Sequence, residues 1–329
     1  MKFLIIRFSS IGDIVLTTPV IRCLHKKFPE AEIHYLTKKQ FHGVLSANPY
    51  ITKFHFLEEQ LSETIKILQE ENYTAIIDLH KNIRSLKVKR ALKVPAHTFD
   101  KLNIEKWLRV NLKINKLPPI HIVDRYLKAL SHWHVENDGD GLDFFIEEKE
   151  ISDAILPIHN SSYIAFAIGA NHATKRLPEY KILELCKHIP HKIILLGGKD
   201  EAETGTKINN LFPEKVINYC GKINLNESAY IIKNAACVIT HDTGMMHIAA
   251  AYKKQIISVW GNTIPEFGMY PYFGTKGILA EKSSRMFEVK NLACRPCSKI
   301  GYEKCPKGHF KCMNNIDVQQ IAKFVSGVY

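Results

Sequence analysis

Three loops in this sequence combine the residue types that anion binding and group transfer require. Ser9-Ser10-Ile11-Gly12-Asp13 follows a short apolar run and leads into a helical pattern. Free amides and the positive end of a helix favour anions at such a turn, and Gly12 lets the backbone approach a ligand closely. The Asp13 carboxylate can accept a proton from a hydroxyl there; the competing reading is that it only caps the helix. Thr240-His241-Asp242-Thr243-Gly244-Met245-Met246-His247 again joins an apolar strand to a helix, which continues through Ile248-Ala249-Ala250-Ala251. Its amides suit a diphosphate, Thr243 adds a hydroxyl, Gly244 permits close contact, and His247 falls one turn further on the same face as Gly244. His247 therefore reads as a binding residue. The third loop, Gly169-Ala170-Asn171-His172-Ala173-Thr174-Lys175-Arg176-Leu177-Pro178, carries two adjacent cations. Lys175 can neutralise a departing diphosphate, with Arg176 a weaker candidate; otherwise this is a solvated basic loop.

The elements that must position these loops alternate along the whole chain. Apolar strands are expected at Lys2–Arg7, Glu32–Leu36, Lys53–Leu57 and Thr74–Leu79, and again at Tyr163–Ile168, Lys192–Leu196, Val216–Tyr219, Cys237–Thr240 and Ile256–Trp260. Helical patterns separate them, among them Glu179–His188 and Ser228–Ala235, and Pro19 predicts a kink or a late start in the first helix. Strand-helix alternation seen twice predicts an α/β protein of two doubly wound, Rossmann-like domains, with the site in the cleft they face. The expected divisions are 1–157, 158–312 and a terminal helix in 313–329 that packs back through Val318, Ile321, Ala322 and Val325, with a hinge at Pro157–Ser161.

Composition narrows the class. With 329 residues, 46% hydrophobic and 24% charged, the chain has the make-up of a folded two-domain protein rather than a disordered or membrane one. The opening MKFLIIRF is too short an apolar run for a signal peptide or a span, so a cytoplasmic location is expected. Net charge is +12, and residues 81–116 hold eleven Lys or Arg against Asp100 and Glu105. Such a stretch attracts nucleic acid, an anionic membrane surface or an acidic substrate, unless it is only a solvated helix face. A nucleic-acid-binding protein would explain the charge but neither the anion loops nor Asp13.

Two other patterns concern metals. Asp138-Gly139-Asp140 spells the D-x-D that many metal-dependent glycosyltransferases use, yet it sits in a polar turn before an expected strand, Leu142–Ile146, and reads as a decoy. Cys294, Cys297, Cys305 and Cys312, with His309 nearby, have a spacing able to ligate structural zinc, although six residues separate the second pair; free or redox-active thiols are the alternative. Cys23, Cys186, Cys220 and Cys237 read as buried and reduced.

Taken together, Arg7-Phe8-Ser9-Ser10-Ile11-Gly12-Asp13-Ile14-Val15-Leu16-Thr17-Thr18-Pro19, Lys175-Arg176-Leu177-Pro178, Asp242-Thr243-Gly244 with His247-Ile248-Ala249-Ala250-Ala251, and His121-Ile122-Val123-Asp124-Arg125-Tyr126 resemble glycosyltransferase family 9, the ADP-heptose:lipopolysaccharide heptosyltransferases. The resemblance implies a GT-B fold and an inverting transfer that needs no cofactor or metal for catalysis. It implies ADP-heptose as donor on the second domain and the acidic lipopolysaccharide inner core as acceptor on the first. By the same carry-over Asp13 is the general base, Lys175 stabilises the leaving diphosphate, and Asp242, Thr243 and Gly244 hold donor phosphate and sugar. Thr174, Arg176, His247 and Gly261 complete the donor set, with Asn226, and Glu227 beside it, where the family often has an acidic ribose contact. Ser9, Ser10 and Gly12, together with Arg84, Lys87 and Arg90 of the basic stretch, are the acceptor candidates. Peripheral contact with the inner face of the inner membrane follows, and no nucleic acid. Two departures stand out: Arg7 where many members have Lys, and Gly261-Asn262-Thr263 for a more usual Gly-Pro-Thr. Another nucleotide sugar or acceptor within the family is the alternative.

Overall fold

The computed structural model describes residues 1–153, 155 and 162–327; the expected hinge Pro157–Ser161, and the 157/158 boundary with it, lies outside them. The chain forms two compact units, each built on a parallel sheet. In the first, β1 (Lys2–Ile6), β2 (Glu32–Thr37), β3 (Lys53–Phe56), β4 (Ala75–Asp78) and β5 (Ala96–Thr98) lie in the order β3-β2-β1-β4-β5. Phe3, Leu4, Ile5 and Ile6 are all fully buried, as a strand covered on both faces requires. The helical pattern after β1 resolves into α1 (Ile11–Val15) and α2 (Thr18–Lys27), with Pro19 in the first turn of α2, where its missing N–H removes no helical bond. Next come α3 (Leu61–Gln69), α4 (Ile83–Leu92), α5 (Asn103–Asn111) and α6 (Ile122–Leu127).

The second unit orders β6 (Ile164–Ala167), β7 (Ile193–Leu196), β8 (Val216–Asn218), β9 (Cys237–His241), β10 (Gln255–Trp260) and β11 (Arg285–Glu288) as β11-β10-β9-β6-β7-β8. Its helices are α7 (Glu179–His188), α8 (Ala202–Leu211), α9 (Leu225–Asn234), α10 (Gly244–Ala251), α11 (Ile278–Ser283), α12 (Lys311–Asn314) and α13 (Val318–Ser326). The terminal α13 packs on α7, burying Val318, Ile321, Ala322 and Val325 in one cluster with Ile182 and Leu185.

Neither unit is a continuous stretch of chain, in contrast to the expected division. The first comprises Met1–Leu102, Ile120–Phe145 and Gly274–Lys276, and the second Asn103–Pro119, Ile146–Phe273 and Gly277–Tyr329. The basic stretch 81–116 is thereby split: α5 and its continuation group with the second unit, where Lys113 Nζ donates to the carbonyls of Pro296 at 2.6 Å and Cys294 at 3.3 Å. Residues 142–146 form no strand, while β5 and β11 were not anticipated. In the first unit Asp138-Gly139-Asp140 is a charge-paired turn. Asp138 meets Arg22 at 2.8 Å and Lys26 at 2.6 Å, and Asp140 meets Lys26 at 3.0 Å and Lys276 at 2.7 Å. Gly274 closes this turn, since a Cβ there would stand 2.3 Å from Gly139 O. Among the described residues no helix is long and apolar enough to cross a membrane.

Candidate functional site

In each sheet the chain winds outward from its first strand and then returns to pair on that strand's other side, and ligands of open α/β sheets bind beyond the carboxyl ends at that switch point. In the second unit the strand is β6, flanked by β7 and β9. The loops leaving β6 and β9 are those of Lys175 and Asp242, and the two side chains meet: Lys175 Nζ lies 2.6 Å from Asp242 Oδ2. Thr263, just beyond β10, donates its hydroxyl to the same carboxylate oxygen at 2.8 Å. The loops are also tied at backbone level, because Leu177 N–H donates to His241 Nε2 at 3.0 Å. Burial holds His241 down at about 4, so the ring is a neutral acceptor near neutral pH.

The rest of the expected donor set divides in two. Thr174 is buried and anchors the Lys175 loop, accepting Tyr302 N–H at 2.8 Å and donating to Tyr302 O at 3.1 Å. Gly261 packs so closely on this loop that a Cβ would stand 2.5 Å from Thr174 O. Thr243 occupies the N-cap position of α10 and Gly244 its first turn, with His247 buried on the following turn. Arg176 reaches away to Glu201 at 2.6 Å. Glu227 is engaged locally: Oε2 accepts Asn224 N–H at 2.9 Å while Asn224 Oδ1 accepts Glu227 N–H at 2.9 Å, a reciprocal cap of α9. Asn226 donates to Glu150.

In the first unit the switch strand is β1, between β2 and β4. Asp13, in the first turn of α1, places Oδ1 2.6 Å from an Arg7 terminal nitrogen, and Oδ2 accepts from Ser10 N–H at 3.2 Å and Ser10 Oγ at 2.9 Å. Capping and ionisation thus act on one carboxylate, whose side chain keeps 23% of its surface accessible. Arg7 is buried and also donates to Ser9 O at 2.8 Å, Leu79 O at 2.6 Å and Tyr126 Oη at 2.9 Å. Burial works against its charge, yet Asp13, Tyr126 and Tyr35 together outweigh it and hold the guanidinium above its ordinary value. Gly12 is buried beneath this loop.

Sequence reasoning missed His80, which leaves β4 beside this loop. Its ring lies 4.7 Å from that of Phe8, its Nδ1 is buried with no hydrogen-bond partner among the described residues, and burial with Arg7 and Lys101 brings it down to about 4. The available signal was a polar residue directly past an apolar strand adjacent to β1. Arg84, Lys87 and Arg90 lie exposed on α4, whose buried positions are Ser85 and Val88, and none has a carboxylate within ion-pair distance among the described residues.

The four late thiols lie near one another without closing a tight ligand set. All are free, Cys294 Sγ faces His309 Nε2 at 3.8 Å, and among the described residues no three bring their sulfurs within 4.8 Å of one another. Burial pushes Cys312 up to about 12.

A model of glycosyltransferase family 9 (heptosyltransferase) matches residues 62–299. The chain belongs to this family. It is 28% identical to lipopolysaccharide heptosyltransferase 1 of Campylobacter coli, over 80% of this chain and 84% of that protein. It is 23% identical to lipopolysaccharide heptosyltransferase 2 of Escherichia coli K12, over 81% and 84%. Among solved structures, the glycosyl transferase family 9 protein from Veillonella parvula superposes with a TM-score of 0.77 at 20% identity, covering 99% of this chain and 96% of that one. E. coli ADP-heptose lipopolysaccharide heptosyltransferase II gives 0.73 at 20%, covering 100% and 98%. As a family 9 member the chain is a glycosyl-transferring enzyme of GT-B fold, with Lys175 and Asp242 on adjoining switch-point loops of its second sheet.

Proposed function

We propose that this family 9 enzyme transfers heptose from ADP-heptose to an acidic lipopolysaccharide inner-core acceptor, with inversion at the anomeric carbon. The observation that carries the proposal is the Lys175–Asp242–Thr263 arrangement, a cation held by a carboxylate that a hydroxyl in turn anchors, where an open sheet receives a ligand. The donor diphosphate takes the second unit, against Lys175 and the amides at the start of α10. Asp13 takes the proton of the acceptor hydroxyl as its oxygen attacks the anomeric carbon opposite the diphosphate. The carbon–oxygen bond to ADP breaks, its electron pair leaves with ADP, and Lys175 neutralises the charge that develops. No catalytic metal is assigned. Arg7 supports the role of Asp13, because a proton acceptor must be ionised and correctly turned, and an adjacent guanidinium favours both. The enzyme is proposed to work at the inner face of the inner membrane, where the exposed cations of α4 meet acceptor phosphates and carboxylates.

The test is thermal stabilisation of the purified chain across a panel of nucleotide sugars, followed by assignment of the anomeric configuration of the product. ADP-heptose at a hundred times its Kd should raise stability by about 2.7 kcal/mol. Selective stabilisation by another nucleotide sugar would reassign the donor; binding of RNA with no response to any nucleotide sugar would overturn the proposal.

A further inference from the structure

A cluster in the first unit has no part in the proposed transfer. In the β2–β3 register His34 pairs with Lys53 and Leu36 with His55, so both histidines project from the same face of the sheet. Tyr73 joins them from the segment between α3 and β4. His34 Nδ1, His55 Nε2 and Tyr73 Oη lie at the corners of a triangle with every side 3.1 Å. Glu71 caps it, with Oε1 3.6 Å from His55 Nε2 and Oε2 3.8 Å from His34 Nδ1. Metal bonds of about 2.0–2.1 Å in a tetrahedron set neighbouring ligand atoms roughly 3.3 Å apart.

We propose that His34, His55, Glu71 and Tyr73 form a structural site for a divalent transition metal, zinc being the best match to two imidazoles and hard oxygen donors. Glu32 supplies the outer partner that such sites use to orient a ligating histidine. Its Oε2 lies 3.4 Å from His34 Nε2 and can only accept, so it selects the tautomer with the proton on Nε2. The Nδ1 lone pair is then turned toward Tyr73 and His55. Both histidines are almost wholly buried, so the sheet and its neighbours hold their rings in place. The site is near the amino-terminal end of β2, whereas the Asp13 loop follows the carboxyl end of β1, which makes its role structural.

The cluster also contains the competitor that metal must displace. Lys53 Nζ lies 2.5 Å from Glu71 Oε1, the oxygen facing His55, while Lys2 holds Oε2 at 3.1 Å. Lys53 is 54% exposed, so it can turn into solvent at small cost.

The experiment is dialysis of the chelator-stripped, full-length protein against Co²⁺, read by absorption and metal analysis, with Zn²⁺ as competitor. The expected result is one Co²⁺ per chain with ligand-field bands and no thiolate charge transfer, displaced by Zn²⁺, together with a raised Tm. His34→Gln and His55→Gln should each lose at least tenfold in affinity, and Glu32→Gln about 10–100-fold. Lys53→Met should bind more tightly than the wild type. Glu32 and Lys53 are exposed, so their variants keep the test decisive even if the histidine variants fail to fold. The proposal is overturned if neither the wild type nor Lys53→Met takes up Co²⁺, or if the bound ion shows thiolate charge transfer. Affinity unchanged in Glu32→Gln and Lys53→Met would overturn it equally.

Discussion

Lys175 and Asp242 form a 2.6 Å ion pair between two loops that leave adjacent strands, β6 and β9, so the ammonium is in place before any diphosphate arrives. Replacing Lys175 with Ala should lower the single-turnover rate by about 10²–10³-fold, the usual cost of one electrostatic stabiliser. Donor affinity should change much less. A single-turnover rate equal to wild type would remove Lys175 from the chemistry.

Asp13→Asn keeps the shape of the α1 cap but cannot take a proton. Transfer should fall to background while donor Kd stays within about twofold, because the carboxylate acts on the acceptor hydroxyl and not on the nucleotide. Full turnover in this variant would contradict the assignment of the base.

Brief exposure to EDTA should leave transfer intact, since Lys175 and helix-end amides are assigned the neutralisation that a cation performs in metal-dependent enzymes. Asp138 and Asp140 already hold Arg22, Lys26 and Lys276. Loss of activity that Mg²⁺ or Mn²⁺ restores would count against this.

Arg84, Lys87 and Arg90 share the exposed surface of α4, so replacing all three with Ser should raise the acceptor KM and flatten its salt dependence without moving the donor KM. Screening acts over about 8–10 Å at working ionic strength. An unaltered salt slope would make this face merely solvated.

His241 gives stability a pH dependence of definite sign. Its folded value, about 4, lies below the ordinary 6.5, so between these values the unfolded chain takes a proton that the folded one refuses. Stability should fall as pH drops from 6.5 towards 4, with a slope from this group of at most about 1.4 kcal/mol per pH unit. His241→Gln should lower stability near neutrality but flatten that slope in melts run across the window. An unchanged slope would assign it to other groups.

The two sheets were legible because parallel strands buried on both faces are written as short apolar runs, and nine of the ten expected strands formed, 142–146 being the exception. β5 and β11 escaped for the converse reason. Ala96–Thr98 is three partly exposed residues, and Arg285–Glu288 opens on two exposed ones, so neither carries the apolar signal of a covered strand. Of the candidate site, the loops were readable from strand-turn-helix junctions, whereas the pairings within them were not. Nothing in the spacing says that Thr263 would share Asp242 with Lys175, whereas Asn224 three residues before Glu227 is the spacing of a reciprocal helix cap. Contacts across 21 or more residues depend on sheet order, and β9 beside β6 is a crossover that sequence order conceals.

The short segment Gly274–Lys276 bears on how the enzyme is made. As the chain leaves the ribosome, the first sheet and its helices are available once residue 145 has emerged, yet the glycine that closes the Gly139 turn and Lys276 come 129 and 131 residues later. At synthesis rates of about 5–20 residues per second, Asp140 waits roughly 7–27 seconds for one of its two lysines. A fragment cut at residue 145 would carry that turn open permanently, so an isolated amino-terminal half is a poorer expression target than its complete sheet suggests.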